Sequence, residues 1–354
     1  MIDDPESPRP TTYHRRNKML TRLSLCAAGG LVVGGLLAIP FSGGDSSGTG
    51  TSGSTASVTV SVAGTARSTM PPTTLGATTT AATTTVAPVS TTTADPPATL
   101  GVTTTAVGNA LATIPGIEAP AYVLIDAGSG KVLAGSNADQ QRAVGSLTKM
   151  LTAYVVLQAG DLDRIVTVPQ LDVIKDESII GLAKGMQYDR ALLLRAMLVV
   201  SAGDAAEALA IDVAGSQEAF VDQMNQAAAG LGLTNTVAAN ETGLDADGAH
   251  STAADMAALA RVLMQDPTFS DAVDNRTAKL FGKTFASTNQ SFLANYPGAS
   301  GVKTGHTSQA GYCLAASATR DGRSLIAVVL GTASSTARTQ QAQLVLDWGF
   351  AQSA

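Results

Sequence analysis

Hydrophobic and polar residues divide this chain into three unlike stretches. From Leu23 to Phe41 there is no charge, and Leu, Val, Ala and Gly predominate. From Ser42 to about residue 113 the chain is almost wholly Ser, Thr, Ala, Gly and Pro. Between Ser46 and Ile117 its only charged side chains are Arg67 and Asp95. From about Ile114 onward, apolar residues return at the spacings of strands and helices. Residues 121–126 and 131–134 read as short β-runs around 127–130 (AGSG), a hairpin signal. The segment 143–157 reads as a helix that opens at Gly145-Ser146 and closes at Gly160. Its apolar residues Leu147, Met150, Leu151, Tyr154, Val155 and Leu157 fall at mixed three- and four-residue spacing. Further helices are predicted over 189–200, 204–213, 217–229 and 252–264. Asp204 with Glu207 forms a capping-box pattern, and Thr252 with Asp255 opens the last of these helices. Residues 301–305, 311–317 and 323–331 read as strands, with Asp321-Gly322 as the tight turn between the last two. A final helix is predicted over 335–350. Strands at both ends and helices between them predict an α+β fold (α/β in the broad sense), one antiparallel sheet flanked by helices with an inserted helical subdomain.

The first two stretches set where that domain would sit. Residues 1–22 are polar and carry His14, Arg15, Arg16, Lys18 and Arg22 close to the apolar run. Nineteen helical residues, 23–41, span roughly 28 Å, near the ~30 Å hydrocarbon core of a bilayer. The basic flank places 1–22 in the cytoplasm and 23–41 as a transmembrane anchor. A cleaved secretory signal shows the same basic-then-apolar order, with 42–44 (SGG) as a small-residue site. The length of the apolar run favours an uncleaved anchor. Cys26 stands at the start of that run behind bulky Leu25, which argues against a lipid-modified cysteine. Residues 42–113 have too little large apolar surface to offset the entropy of ordering them, and read as a disordered tether. Its Ser/Thr/Pro composition is that of O-glycosylated stalks. As a flexible coil it would reach ~45–50 Å. The folded domain is then 114–354, on the far side of a single-pass cell membrane.

Composition excludes several functions. With 45% hydrophobic and 14% charged residues, the chain can build one sizeable core. A net charge of −6 gives no basic footprint, so no nucleic-acid partner is expected. His14, His250 and His306 show no ligand spacing, and no metal or other cofactor is predicted. Residues 245–248 (DADG) resemble the start of a calcium loop, but the twelfth position is Met256 where a glutamate is needed, so a turn is the reading. Cys26 and Cys313 fall on opposite sides of the predicted membrane, and no disulfide is expected.

Candidate chemistry begins at Ser146 and Lys149. Three residues apart on a helix, they share a face. A hydroxyl becomes a nucleophile when a base takes its proton, and an amine is that base only when neutral. Burial or a nearby cation brings a lysine down from its usual ~10.4. Alone, Ser-x-x-Lys is a cheap pattern: Ser146 could simply cap the helix and Lys149 could reach solvent. Two further motifs raise its weight. Ser201-Ala202-Gly203 falls between two predicted helices, and Lys303-Thr304-Gly305 lies on a predicted edge-like strand.

The three motifs in this order form the signature set of penicillin-recognising serine enzymes. Residues 146–157, 197–210 (MLVVSAGDAAEALA), 220–253 and 296–331 closely resemble D-alanyl-D-alanine carboxypeptidases, the low-molecular-mass penicillin-binding proteins of the S11 peptidase type. The resemblance covers 114–350 and none of the anchor or stalk. It implies a β-lactamase/DD-peptidase-like fold and a peptidoglycan stem peptide ending in D-Ala-D-Ala as substrate. Ser146 would attack the carbonyl between the last two D-alanines, Lys149 would take its proton, and water would hydrolyse the acyl-enzyme. Ser201 resembles the proton-relay hydroxyl. Lys303 would depress the Lys149 pKa and attract the terminal carboxylate, and Thr304 would donate to it. Backbone N–H groups of Ser146 and of His306, next to Gly305, would meet the oxyanion. β-Lactams would acylate Ser146 as mimics of the substrate.

One departure stands out. The family's middle motif is Ser-x-Asn, and this chain has Gly203 in place of the Asn. The missing amide bonds the catalytic lysine and the substrate. Losing such a bond costs about 1.5–3 kcal/mol, roughly ten- to a hundred-fold in rate. A helix-terminating glycine is the bland reading of Gly203. The alternative to an active carboxypeptidase is therefore a weakly active or inactive paralogue, a tethered peptidoglycan-binding module. A class A β-lactamase would need a deacylating glutamate in a Glu-x-x-Leu-Asn context after the second motif, which Glu207, Glu218 and Glu241 do not supply.

Overall fold

The structure is a computed structural model that describes residues 111–172 and 177–352. The predicted tail, anchor and Cys26, and nearly all of the stalk, lie outside those residues. Among the described residues no helix is long and apolar enough to cross a membrane.

Five strands form the central sheet: β1 (Ala121–Asp126), β2 (Val132–Ser136), β7 (Ala299–Thr307), β8 (Gly311–Arg320) and β9 (Arg323–Thr332). Their order is β2-β1-β9-β8-β7, with every pair antiparallel. Side chains alternate across it, as the two-residue period of a strand requires. Val123, Ile125, Ile326 and Val328 face one side; Leu124, Leu325, Ala327 and Val329 face the other. The second face is covered by α8 (Ser335–Ala351) through Ala342, Val345 and Leu346. The first is covered by α5 (Ala253–Leu263), with α1 (Lys149–Ala159) packed beside α5 in the same apolar cluster. Both faces being buried explains the near-continuous apolar runs in β8 and β9. Asp321 and Gly322 both have positive φ (49° and 78°), the geometry of a tight hairpin turn, as their sequence predicts.

Between β2 and β7 lies the inserted region. Its helices are α1, α2 (Arg190–Val199), α3 (Gly203–Ala214), α4 (Gln217–Gly230), α5, α6 (Pro267–Val273) and α7 (Gln290–Asn295). Two small ribbons, β3 (Ile165–Thr167) with β4 (Gln187–Asp189) and β5 (Thr277–Leu280) with β6 (Lys283–Ala286), were not read from the sequence. Each strand there has three or four residues, too few for alternation to register.

Two local readings are corrected. The predicted helix at Gly145-Ser146 begins as a 3₁₀ turn, Gly145–Thr148, and becomes α-helical only at Lys149. Asp204 and Glu207 do not make a capping box, because neither side chain caps α3. Both are turned to the strap between β3 and β4. Asp204 accepts backbone N–H bonds from Ile180, Gly181 and Leu182, and Glu207 accepts from Asp172. The Thr252 cap does form, accepting from the Asp255 N–H. Asp245, in the calcium-like stretch, instead accepts from Thr307, Ser308 and Gln309, tying its turn to the β7–β8 hairpin.

Candidate active site

The cleft lies where three pieces of chain meet at the exposed edge of β7. The turn bearing Ser146 presses against β7 because two residues there lack a side chain. A Cβ on Gly145 would stand 2.9 Å from the His306 nitrogen, and one on Gly305 would stand 2.5 Å from the Val144 carbonyl. Gly305 therefore serves the approach of the two elements.

Lys149 is fully buried beside Ser146, with Nζ 3.0 Å from Ser146 Oγ. Its other two partners are the Thr242 carbonyl at 2.8 Å and Glu177 Oε1 at 2.7 Å. A neutral amine has two N–H groups and one lone pair, so it can donate to Thr242 and Glu177 and accept the Ser146 hydroxyl proton. An ammonium would donate to all three. The shell thus suits both ends of a proton transfer from Ser146.

Burial holds the Lys149 pKa below the usual lysine range, while the charge and hydrogen bond of Glu177, and the charge of Glu241, pull it back up. Lys303 lies well below that range, through burial first and then the charges of Lys149 and Arg338, with Glu177 opposing. Burial is the first cause at both lysines; the repulsion between them is mutual, and Glu177 offsets it at Lys149 through contact.

Lys303 projects from β7 and donates to Ser201 Oγ and to the Thr304 carbonyl, each at 2.9 Å. Ser201 follows α2 with φ +62°, a strained conformation for a non-glycine residue of the kind found at functional sites. Thr304 donates to Thr288 at 2.9 Å. Ser146, Ser201, Thr304, Gly305 and His306 line one cleft. The exposed His306 ring leans on Tyr312, with centroids 4.0 Å apart.

The structure therefore brings all seven predicted residues together: Ser146, Lys149, Ser201, Lys303, Thr304, Gly305 and His306. It also adds two that the sequence did not disclose. Arg338, from the first turn of α8, lines the cleft and donates to the Gly305 carbonyl at 3.1 Å. Its Nε is buried without a partner. Glu177 lines the cleft from the β3–β4 strap, with its side chain 4% exposed. Neither belongs to a spaced motif. What places each is a long-range contact with β7 or α3. Among the described residues no cluster of His, Cys, Asp and Glu is arranged to hold a metal ion.

The chain is similar in sequence and in fold to known peptidases. The profile of the peptidase S11 family, described as D-alanyl-D-alanine carboxypeptidase, matches residues 108–334. D-alanyl-D-alanine carboxypeptidase DacC of Escherichia coli K12 is 40% identical over 248 residues, which cover 67% of this chain and 62% of that protein. The chain thus spans about three fifths of that relative's length. Among solved structures, a D-alanyl-D-alanine carboxypeptidase from Mycobacterium tuberculosis H37Rv superposes with a TM-score of 0.65 at 32% identity, covering 69% of this chain and 95% of that one. The Streptomyces K15 DD-transpeptidase superposes with a TM-score of 0.63 at 32% identity, covering 68% and 100% respectively.

Proposed function

This chain belongs to the D-alanyl-D-alanine carboxypeptidase family, and from that membership we propose that it removes the terminal D-alanine of peptidoglycan stem peptides through an acyl-enzyme on Ser146. The observation that carries the reading is the completed shell of Lys149, whose three partners leave one lone pair for the Ser146 proton. As Oγ attacks the carbonyl carbon, its O–H bond breaks and an N–H bond forms on Lys149. That proton then goes to the leaving amine, with the Ser201 hydroxyl as the relay that the family resemblance implies. The oxyanion is met by the backbone N–H groups of Ser146 and His306.

The substrate's terminal carboxylate is received by Lys303, Thr304 and Arg338. Its negative charge favours the ammonium form of Lys303, against the burial that lowers the Lys303 pKa. A cation at Lys303 then disfavours one at Lys149 and leaves Lys149 free as a base. Binding thereby prepares the nucleophile. β-Lactams, which present a similar carboxylate beside a reactive amide, acylate the same oxygen.

The weakly active paralogue is not favoured. That reading assumed an unfilled place at Gly203, and Glu177 stands there. In the cell the domain works on the cell-wall side of the membrane, held by 23–41 and spaced by the stalk. The test is release of free D-alanine from a synthetic pentapeptide by the full chain, with covalent labelling by a fluorescent penicillin. Both occur in the parent and vanish in Ser146→Ala. A parent protein that takes no label overturns the reading.

A further inference from the structure

We propose that Glu177 has taken over the position and the role of the middle-motif amide that this chain lacks, as a carboxylate that positions Lys149 and stabilises the proton Lys149 receives from Ser146. The inference rests on the acyl-transfer reading above and identifies a positioning residue for it.

Three observations meet at this point. Glu177 Oε1 lies 2.7 Å from Lys149 Nζ, with both side chains buried. Next, the space Glu177 fills is the space a side chain at 203 would need. A Cβ on Gly203 would overlap Glu177 Cγ and stand 2.7 Å from its Cδ. The two side chains exclude each other, so a side chain at 203 and the Glu177 carboxylate are alternatives for one place, and Glu177 stands in exchange for the missing Asn. Finally, the exchange is built in by the backbone. The Gly203 N–H donates to the Ser178 carbonyl at 2.7 Å, and Asp204 accepts from Ile180, Gly181 and Leu182. The first turn of α3 thus grips the strap immediately beyond Glu177 and fixes where its carboxylate points.

A carboxylate differs from the amide it replaces. It accepts only, and it carries charge, so each Lys149 N–H directed at it is a charge-assisted bond. When Ser146 attacks, the ammonium formed on Lys149 is paired at once. The same charge raises the proton affinity of Lys149 and so places the acidic limb of the reaction. The other charged groups facing Lys149 are Glu241, in the loop after α4, and Lys303 on β7. Glu207 bears on Glu241, and Arg338 bears on Lys303.

Restoring the family's Asn at 203 should therefore harm this enzyme, because it evicts Glu177. The experiment measures second-order acylation by a penicillin, between about pH 5 and pH 10, on the full chain and three variants. Gly203→Asn is expected to be slower by tenfold or more at neutral pH. Glu177→Gly combined with Gly203→Asn is expected to return to within about threefold of the parent. Glu177→Gln is expected to shift the acidic limb down by about one pH unit or more. In a Ser146→Ala background, the titration of the Lys149 ε-carbon followed by NMR should move the same way without any turnover. The proposal is overturned if Gly203→Asn alone acylates as fast as the parent. It is equally overturned if Glu177→Gln leaves both the limb and the Lys149 titration in place. A parent that shows no Ser146-dependent acylation instead strikes the acyl-transfer reading, while the Lys149 titration still decides the pairing with Glu177.

Discussion

Lys303 Nζ donates to Ser201 Oγ at 2.9 Å, joining the edge strand of the sheet to the loop that leads into α3. Neither partner reaches the other by local geometry. β7 supplies the amine from below the cleft, and a left-handed residue at 201 turns the hydroxyl to face it. The bond fixes the Ser201 hydroxyl against Lys303.

Ser201→Ala should slow penicillin acylation by roughly ten- to a hundred-fold, the worth of one hydrogen bond to a charged group. Ser201→Gly removes the same hydroxyl and also relieves the positive φ. It should be as slow as the alanine variant yet more stable than it by about 1 kcal/mol. Acylation kinetics beside urea unfolding would check the pair; equal stabilities would argue against strain at 201.

The contribution of Lys303 to stability should rise with pH between its folded and unfolded pKa values. An unfolded lysine keeps its proton to about pH 10.4, whereas folded Lys303 loses it at lower pH. Between those two values the unfolded chain binds more protons, so unfolding becomes harder as pH climbs and easier as pH falls through the folded value. Lys303→Met should flatten that slope and raise Tm at neutral pH while abolishing acylation. Thermal unfolding of both proteins across the range is the measurement.

Gly305→Ala should inactivate without unfolding. The added methyl would press on the Val144 carbonyl at 2.5 Å and on the Ser146 and Leu147 nitrogens at 3.2 Å. The nucleophile's turn must then move off β7. We expect acylation to fall by at least a hundred-fold with a stability loss of about 1–3 kcal/mol, typical of overpacking.

Asp204→Ala should loosen the strap rather than α3. Three backbone N–H groups lose their acceptor, at a cost of about 1–3 kcal/mol. Trypsin should then cut at Lys184 sooner than in the parent, and acylation should fall along with it because Glu177 is no longer held. Faster cleavage with unchanged acylation would separate the strap from the site.

The parts of this site that could be read in advance are those tied to short spacings. Ser146 and Lys149 are one helical turn apart, and Lys303, Thr304 and Gly305 are consecutive, so local geometry already groups each set. Glu177 and Arg338 are brought in by contacts with residues 28 and 33 positions away, and nothing beside them in the chain signals a role. Gly203 shows the limit most clearly. As a sequence feature it looked like a missing part, and only the neighbouring strap reveals what fills the gap. The capping-box reading of Asp204 and Glu207 failed for the same reason: the pattern was present, but distant backbone competed for both carboxylates and won. In the sheet, the long apolar strands were legible, whereas the three- and four-residue ribbons were not.

The strand order carries a consequence for how this protein is made. β1 is bonded along its length to β9, with Ala121 opposite Leu330 and Asp126 opposite Leu325. As the chain is synthesised from its N-terminus, β1 emerges about two hundred residues ahead of that partner. Contacts so far apart close slowly, because the loop entropy is spent before the pairing is gained. The middle of the sheet therefore cannot assemble until nearly the whole polypeptide is out of the ribosome, and a truncation before β9 would leave β1 as an unshielded sticky edge.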